Sequence, residues 1–312
     1  WNPGIIKRLR RKGYDAIILG GYNHFTMLAA AWYARRNHIP YYLMNEVFLR
    51  QPRAVWKRLL KEPFLRQLFR GAAGGLPTGT LAREYLTHYG LKEDRICFVP
   101  NSPDIDGLTT AARDLWTKPK ASLRSTLGLK PEPMVLFVGR FIARKNVDKL
   151  ILAFQRLNSQ IPVQLVLVGS GPAERDLRRM LNGERGNLPV YFPGFVQPRE
   201  LPHWYAAADV FALPSWSETW GVVVLEALSC GCPVVLSDMV GCGPDVVNCP
   251  EVGKIVPAND VDALAAALKE FLLNPRPREQ VTEMWRPVAE KMKYDVVARR
   301  LVEFLRRTAT TK

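Results

Sequence analysis

The sequence predicts an α/β protein made of two Rossmann-like, doubly wound parallel-sheet domains in series, the first of them incomplete. Two observations carry this. Short, near-continuous apolar runs of strand length alternate with segments of helical spacing, the pattern of parallel strands covered by helices on both faces. The alternation lapses over residues 104–133 and then restarts, and 312 residues with 47% hydrophobic and 23% charged side chains suffice for two cores. The expected division is a partial first domain at 1–108, a second at 109–290 and a carboxyl-terminal helix at 291–312.

In chain order, residues 5–11 read as a helix and 14–19 (YDAIIL) as a short strand ending at Gly20 and Gly21. Residues 25–36 have helical spacing, and 39–44 (IPYYLM) read as the next strand. Residues 53–70 form a strongly basic amphipathic helix with Val55, Leu59, Leu60, Phe64 and Leu68 on one side. Residues 82–89 are helical and stop at Gly90, and 95–99 (RICFV) form a further strand. Residues 104–133 read as a connection with a short helix near Leu123. Six strands then follow at 134–138, 163–168, 190–192, 210–213, 234–236 and 254–256. Helices fall between them at 147–157, 174–181, 200–208, 221–229 and 261–273, and residues 278–307 are two further helical stretches. A Rossmann half opens with a strand, a Gly-rich turn and a helix, but here a helix comes first. The chain also opens at Trp1-Asn2-Pro3 without an initiator Met, so an amino-terminal truncation is expected.

Net charge is +15 and the isoelectric point is near 9.8. Residues 1–108 hold 17 Lys and Arg against 8 Asp and Glu, an excess of 9, and the remaining 27 against 21 leave 6. A basic surface suits nucleic acid, anionic lipid or a phosphorylated substrate. No zinc-finger spacing, RNP-like strand or basic region joined to heptads is present, so nucleic acid is not expected. No apolar run reaches the roughly 18–20 residues of a membrane span, and no leader-like apolar stretch follows Trp1. Cys97, Cys230, Cys232, Cys242 and Cys249 are odd in number and irregular in spacing, which fits reduced, cytoplasmic, buried thiols and no zinc site.

Four stretches carry candidate chemistry, all at strand carboxyl ends of the second domain, where such folds bind ligands. In residues 138–147, Gly139 turns the chain and Arg140 and Lys145 precede a helix; this reads as phosphate recognition or as a charged loop without a ligand. Asn146 is placed to cap that helix, and Arg144 to face solvent. In residues 167–172, Gly169 and Ser170 sit in a turn where a ligand or another backbone can come close. In residues 213–226, Glu218 falls in a loop, the helix starts around Trp220, Gly221 and Val222, and Glu226 lies inside it. That helix start offers free N–H groups to an anion. A carboxylate in an apolar helix needs donors, which sugar or ribose hydroxyls supply, as does a core ion pair. Glu218 alternatively reads as an acid near the helix start. In residues 237–247, a Gly-rich loop offers backbone N–H groups, and Asp245 is placed to cap the next helix.

Taken together, GRFIARKN (139–146), LVGSGP (167–172), YFPGFV (191–196), YAAADVFALPSWSETWGVVVLEALSCGCPVV (205–235) and GCGPDVV (241–247) resemble the retaining nucleotide-sugar glycosyltransferases of family 4, which have the GT-B fold. The resemblance covers nearly all of the second domain and the first from Asp15 to Asp106. Glu218 and Glu226 look like that family's paired glutamates, with seven residues between them. It implies that Glu218, Arg140 and Lys145 carry the chemistry, the cations on the donor diphosphate and Glu218 on hydroxyls of the donor sugar. It further implies donor contacts from Gly139, Gly169, Ser170, Gly194, Phe195, Val196, Trp220, Gly221 and Val222, with Glu226 on the ribose. It implies no cofactor and no divalent metal, since the cations and the helix dipole offset the leaving diphosphate. Retention is described for this family as same-face attack in which the departing phosphate helps to deprotonate the acceptor.

Two features depart from the family's pattern. Met44-Asn45-Glu46 stands where many relatives carry a His, so Glu46 reads as an acceptor-side contact or a loop acid. His24 reads as lining the same strand ends or as exposed, and His203 as packing. Asp104-Ile-Asp106 has the form of a metal motif of another glycosyltransferase fold, yet it follows Val99-Pro-Asn-Ser-Pro103, which looks like the family's passage into its linker, so no metal is expected. The function expected is glycosyl transfer (EC 2.4 class) from a nucleotide-diphosphate sugar to a polysaccharide, glycolipid or lipid-linked acceptor, as in cell-surface polysaccharide biosynthesis. The alternatives are another GT-B nucleotide-sugar enzyme, epimerase- or phosphorylase-like, or a non-catalytic nucleotide-sugar binder. The basic first domain suggests peripheral contact with an anionic membrane, on the inner face of the plasma membrane.

Overall fold

The structure, a computed structural model, describes residue 2 and residues 4–50, 55–181 and 188–309, the side chains of 55–61 excepted. Two compact units divide the chain, Trp1–Asn101 with Tyr294–Lys312, and Ser102–Lys293.

In unit 1, α1 (Ile5–Lys12), β1 (Ile17–Leu19), α2 (Phe25–Arg36), β2 (Tyr41–Asn45), α3 (Val55–Arg70), β3 (Gly74–Pro77) and α4 (Thr80–His88) follow in order. The three strands pair in the order β1-β2-β3, all parallel. β1 is shorter than the expected strand at 14–19. β3 was not expected, because Gly-Gly-Leu-Pro has turn composition. Packing explains it: a Cβ on Gly75 would lie 2.4 Å from Leu91 Cδ2 and 2.7 Å from Leu86 Cδ1. The expected strand at 95–99 is corrected. A 3-10 turn occupies Glu93–Arg95, and Ile96 then bridges Gly75. Cys97 N–H donates to Gly75 O and Val99 N–H to Pro77 O, both at 2.9 Å, so this segment runs along β3 without completing a ladder. The buried side of α3 is Leu65, Leu68 and Phe69, whereas Phe64 is 46% exposed. The other expected positions of that helix (Arg53, Val55, Leu59, Leu60) lie outside the described residues or side chains.

Unit 2 contains α5 (Ile105–Trp116), α6 (Lys120–Thr126), β4 (Met134–Val138), α7 (Val147–Asn158), β5 (Gln164–Val168), α8 (Glu174–Leu181) and β6 (Val190–Gly194). It continues through α9 (Leu201–Ala207), β7 (Val210–Leu213), α10 (Val222–Ser229), β8 (Val234–Ser237), α11 (Gly243–Val246), β9 (Gly253–Val256), α12 (Val261–Leu273) and α13 (Arg278–Met292). The connection expected at 104–133 is therefore mostly two helices. Asp104 caps α5 by accepting from Gly107 N–H at 3.0 Å, and Ile105, Ala112 and Leu115 bury one side. Buried Arg124 anchors α6 to the core, donating to Asp209 and to the carbonyls of Ala207 (3.0 Å), Pro131 and Glu132 (both 2.8 Å).

The six strands pair in the order β6-β5-β4-β7-β8-β9, all parallel. All residues of β4, β5, β7 and β8 are buried. α7 packs with α8 and α12, and α5 with α9 and α10, which are the two covering layers. Strand order reverses between β4 and β7. At such a switch point the flanking loops diverge, leaving a crevice at the strand carboxyl ends.

The last helix, α14 (Tyr294–Ala309), belongs to unit 1 and is not a separate tail. Its Val297 and Phe304 cluster with Tyr42, Leu76, Cys97 and Val99, and the Tyr42 hydroxyl bonds Thr308 Oγ1 at 2.7 Å.

Candidate functional site

The loops leaving β4 and β7 flank the switch point, and hydrogen bonds lace them together. Asn146 takes the left-handed conformation (φ 53°, ψ 37°), which Asn tolerates better than most residues. Its side chain does not cap α7 as expected. It donates instead to Pro214 O at 3.1 Å and Asn259 Oδ1 at 2.9 Å. From the other loop, Trp216 N–H donates to Arg144 O at 3.0 Å and its indole N–H to Ala143 O at 3.1 Å. These bonds fix the 3-10 turn Ala143–Lys145, and with it the root of Lys145.

Lys145 Nζ forms an ion pair with Glu218 Oε2; the two side chains are only 12% and 10% exposed. Glu218 in turn is held by the loop after β8. Its N–H donates to Met239 O at 3.1 Å, while Gly241 N–H donates to Glu218 O and Cys242 N–H to Trp220 O, both at 2.9 Å. Gly241 has to be glycine, because a Cβ there would lie 1.9 Å from Thr219 O. Gly221 then takes φ 103°, outside ordinary L-residue space, to turn the chain into α10. The N-cap residue of α10, Gly221, has no side chain to cap the helix. Its first N–H groups carry the positive end of the helix dipole.

Glu226 sits on α10, half-buried. It makes no ion pair among the described residues; its Oε2 accepts from the Tyr205 hydroxyl at 2.9 Å. Burial pushes the Glu226 carboxyl above the usual range, and the Tyr205 hydrogen bond pulls it back. Tyr205, wholly buried on α9, is itself pushed up by burial and by the adjacent carboxylate. Arg140 is exposed and has no ion-pair partner among the described residues.

The loops after β5 and β6 join the same edge. A Cβ on Gly169 would lie 2.0 Å from Gly139 O, so this glycine seats one loop on the other. Phe141 N–H donates to Ser170 O at 2.9 Å, and Gly169 N–H to Gly194 O at 2.8 Å. Ser170 is exposed and Val196 half-buried, while Phe195 is 70% exposed beside them. One edge of the sheet thus holds Gly139, Arg140, Lys145, Gly169, Ser170, Gly194, Phe195, Val196, Glu218 and the 220–222 turn. Trp220 is 2% exposed and packs in the core of unit 2.

In unit 1, His24 and Glu46 follow β1 and β2 and share the carboxyl edge of that sheet. Glu46 Oε1 accepts from Asn101 Nδ2 at 2.7 Å. His24 is exposed at the start of α2. Of the remaining candidates, Asp104 caps α5 and Asp106 pairs with Lys293 at 2.9 Å. Asp245 lies inside α11, and the side chain that caps α12 is Asp260. His203 is exposed, not packed; Trp204 and Tyr205 bury that side of α9. Cys97, Cys230, Cys232 and Cys242 are buried, and burial pushes the Cys232 thiol up to about 12. Among the described residues no cluster of three metal-ligating side chains occurs.

Sequence reasoning missed the linking role of Asn146, the Trp216 bonds and Tyr205. Tyr205 stands inside a quoted motif, but nothing local marks a residue 21 positions before Glu226 as its partner. Chemically, the edge combines two cations and a helix amino end, suited to a diphosphate, while Glu226 on α10 is a half-buried carboxylate suited to hydroxyl donors.

The GDP-mannose-dependent alpha-(1-6)-phosphatidylinositol monomannoside mannosyltransferase of Mycolicibacterium smegmatis is 36% identical over 164 residues, 50% of this chain and 43% of that protein. The chain spans about half the length or less of the first curated relatives it matches. Sucrose-phosphate synthase from Thermosynechococcus elongatus superposes with a TM-score of 0.72 at 24% identity, covering 99% of this chain and 78% of that one. Anabaena Alr3699/HepE, solved in complex with UDP, superposes with a TM-score of 0.75 at 19% identity, covering 97% and 81%. These neighbours have the GT-B fold of two Rossmann-like domains, and the chain shares it. The family model "Glycosyl transferases group 1" matches residues 119–286, which is 168 of the 312, and the chain therefore belongs to that family.

Proposed function

We propose that this chain transfers a sugar, with retention, from a nucleotide-diphosphate donor to a glycan, glycolipid or lipid-linked acceptor. The observation that carries the reading is the laced edge at the switch point, where the largely buried Lys145–Glu218 pair lies on the loops that lead from β4 into α7 and into the start of α10, with exposed Arg140 on the same loop as Lys145. Arg140 and Lys145 hold the diphosphate, and the α10 N–H groups complete its cradle. Glu226 accepts from the ribose hydroxyls through Oε1, while Tyr205 fixes Oε2. Glu218 accepts from hydroxyls of the donor sugar once Lys145 turns to phosphate. The cations and helix dipole stabilise the leaving group without a divalent metal, and the departing phosphate takes the acceptor proton. Glu46 and His24 are the acceptor-side contacts.

The lipid acceptor is supported by the phosphatidylinositol monomannoside in the name of the M. smegmatis relative, and the nucleoside diphosphate by the UDP complex of HepE. Among the described residues no helix is long and apolar enough to cross a membrane. Exposed Trp32 (58%) and Phe64 (46%) stand beside Arg35 and Arg36, which supports peripheral docking on an anionic cytoplasmic leaflet.

Incubation with UDP-glucose or GDP-mannose and a membrane-lipid extract tests the reading. Released nucleoside diphosphate is expected in step with a glycolipid of retained anomeric configuration, with or without EDTA. Nucleotide binding without transfer would leave a non-catalytic binder, and donor interconversion without a new glycolipid would indicate an epimerase.

A further inference from the structure

We propose that unit 1 carries a second anion site, for a phosphate monoester or diphosphate group, at the amino ends of its strands. Three concavities share one side chain, Arg35 near the end of α2. The largest, about 620 Å³, opens among Arg35, His38, Arg95, Arg307 and the backbone at 71–73. A second, about 470 Å³, continues past Gly71 to Arg66 and Arg70. A third, about 510 Å³, runs between α2 and α3 past Arg36, Trp32 and Phe64.

Together the linings hold six arginines and one histidine against one acid, Asp94. Arg66 is paired with Glu62 at 2.7 Å, but among the described residues neither Arg35 nor Arg95 pairs with a carboxylate. Cations gathered in a concavity repel one another and focus a positive potential, and an anion relieves both effects. The guanidinium fork matches phosphate oxygens. Gly71 keeps the first two concavities continuous, since a Cβ there would lie 2.8 Å from the Tyr41 hydroxyl and 3.4 Å from Arg35 Cζ.

Position separates this site from the one already described. Pro40 and Tyr41 open β2, Ala72 and Ala73 precede β3, and the strands are parallel. The basin is therefore at the opposite edge of the sheet from His24 and Glu46, and nothing in it rests on the transferase reading. The phosphate group can come from a lipid headgroup, with Trp32 and Phe64 against the acyl region, or from a soluble phosphate.

The test titrates the chain with inorganic pyrophosphate by calorimetry. In parallel, the chain is floated with phosphatidylcholine vesicles that contain or lack phosphatidic acid. Arg35→Gln with Arg95→Gln, both exposed positions, is compared with Arg140→Gln plus Lys145→Gln. The first pair is expected to lose pyrophosphate affinity by at least about tenfold at a site that the second pair retains. Flotation on phosphatidic acid that pyrophosphate competes away assigns the site to a headgroup. Pyrophosphate binding without flotation assigns it to a soluble phosphate. Isotherms and flotation unchanged by Arg35→Gln/Arg95→Gln, or no phosphate binding in either form, overturn the proposal.

Discussion

Glu218 and Lys145 are assigned to different parts of a bound donor, yet they pair with each other, 10% and 12% exposed. At contact, and at an effective dielectric constant of about 20, such a pair attracts by about 4 kcal/mol. Desolvation offsets most of this, leaving about 1–2 kcal/mol that an incoming diphosphate must displace. Glu218→Gln removes the charge and keeps the shape, so Lys145 becomes available. A nucleoside diphosphate is then expected to bind about five- to thirtyfold more tightly. Turnover is expected to fall, because the donor sugar loses an acceptor for its hydroxyls. Calorimetry with UDP and GDP reads the first effect, and product release the second. An unchanged dissociation constant, or a loss equal to that of Lys145→Ala, would refute the reasoning and make the pair a scaffold contact.

Three further outcomes follow from the same geometry. Burial raises the Glu226 carboxyl, so its contribution to stability is full below its unfolded value and is lost as pH rises through the folded one. Glu226→Gln is therefore expected to raise the melting temperature at neutral pH, with the gain vanishing in acid; a gain that persists in acid contradicts this. Tyr205→Phe removes the hydrogen bond that opposes the shift, so the acid limb of nucleotide binding is expected to move to higher pH in a titration series. Gly241→Ala forces a Cβ to 1.9 Å from Thr219 O before relaxation. It is expected to cost about 1–3 kcal/mol in urea unfolding and to weaken nucleotide binding by displacing the 218–221 segment.

The six-stranded sheet was legible because its strands are short apolar runs with helical spacing between them, and β4 and β7 fell at their expected residues. Those two strands place the site. The α5 helix was hidden by Gly107 and by a stretch that reads as a linker, while its cap, Asp104, had the look of a metal motif. β3 was hidden because Gly74 and Gly75 serve packing and not a turn. Within the site, the residue types were visible but their pairing was not. Lys145 and Glu218 are 73 positions apart, and only the sheet order brings them together. The Arg35 basin draws on residues from 35 to 307, so the sequence disclosed only an excess of charge in its first third.

The central claim is that a nucleoside diphosphate binds the carboxyl edge of the six-stranded sheet through Arg140 and Lys145. Calorimetry of UDP, GDP and ADP against the chain and against Lys145→Ala tests it most directly, with circular dichroism to confirm the fold. At least one nucleotide is expected to bind, and Lys145→Ala to weaken it by about tenfold or more. No binding by the folded chain, or equal binding by the folded variant, would contradict the claim.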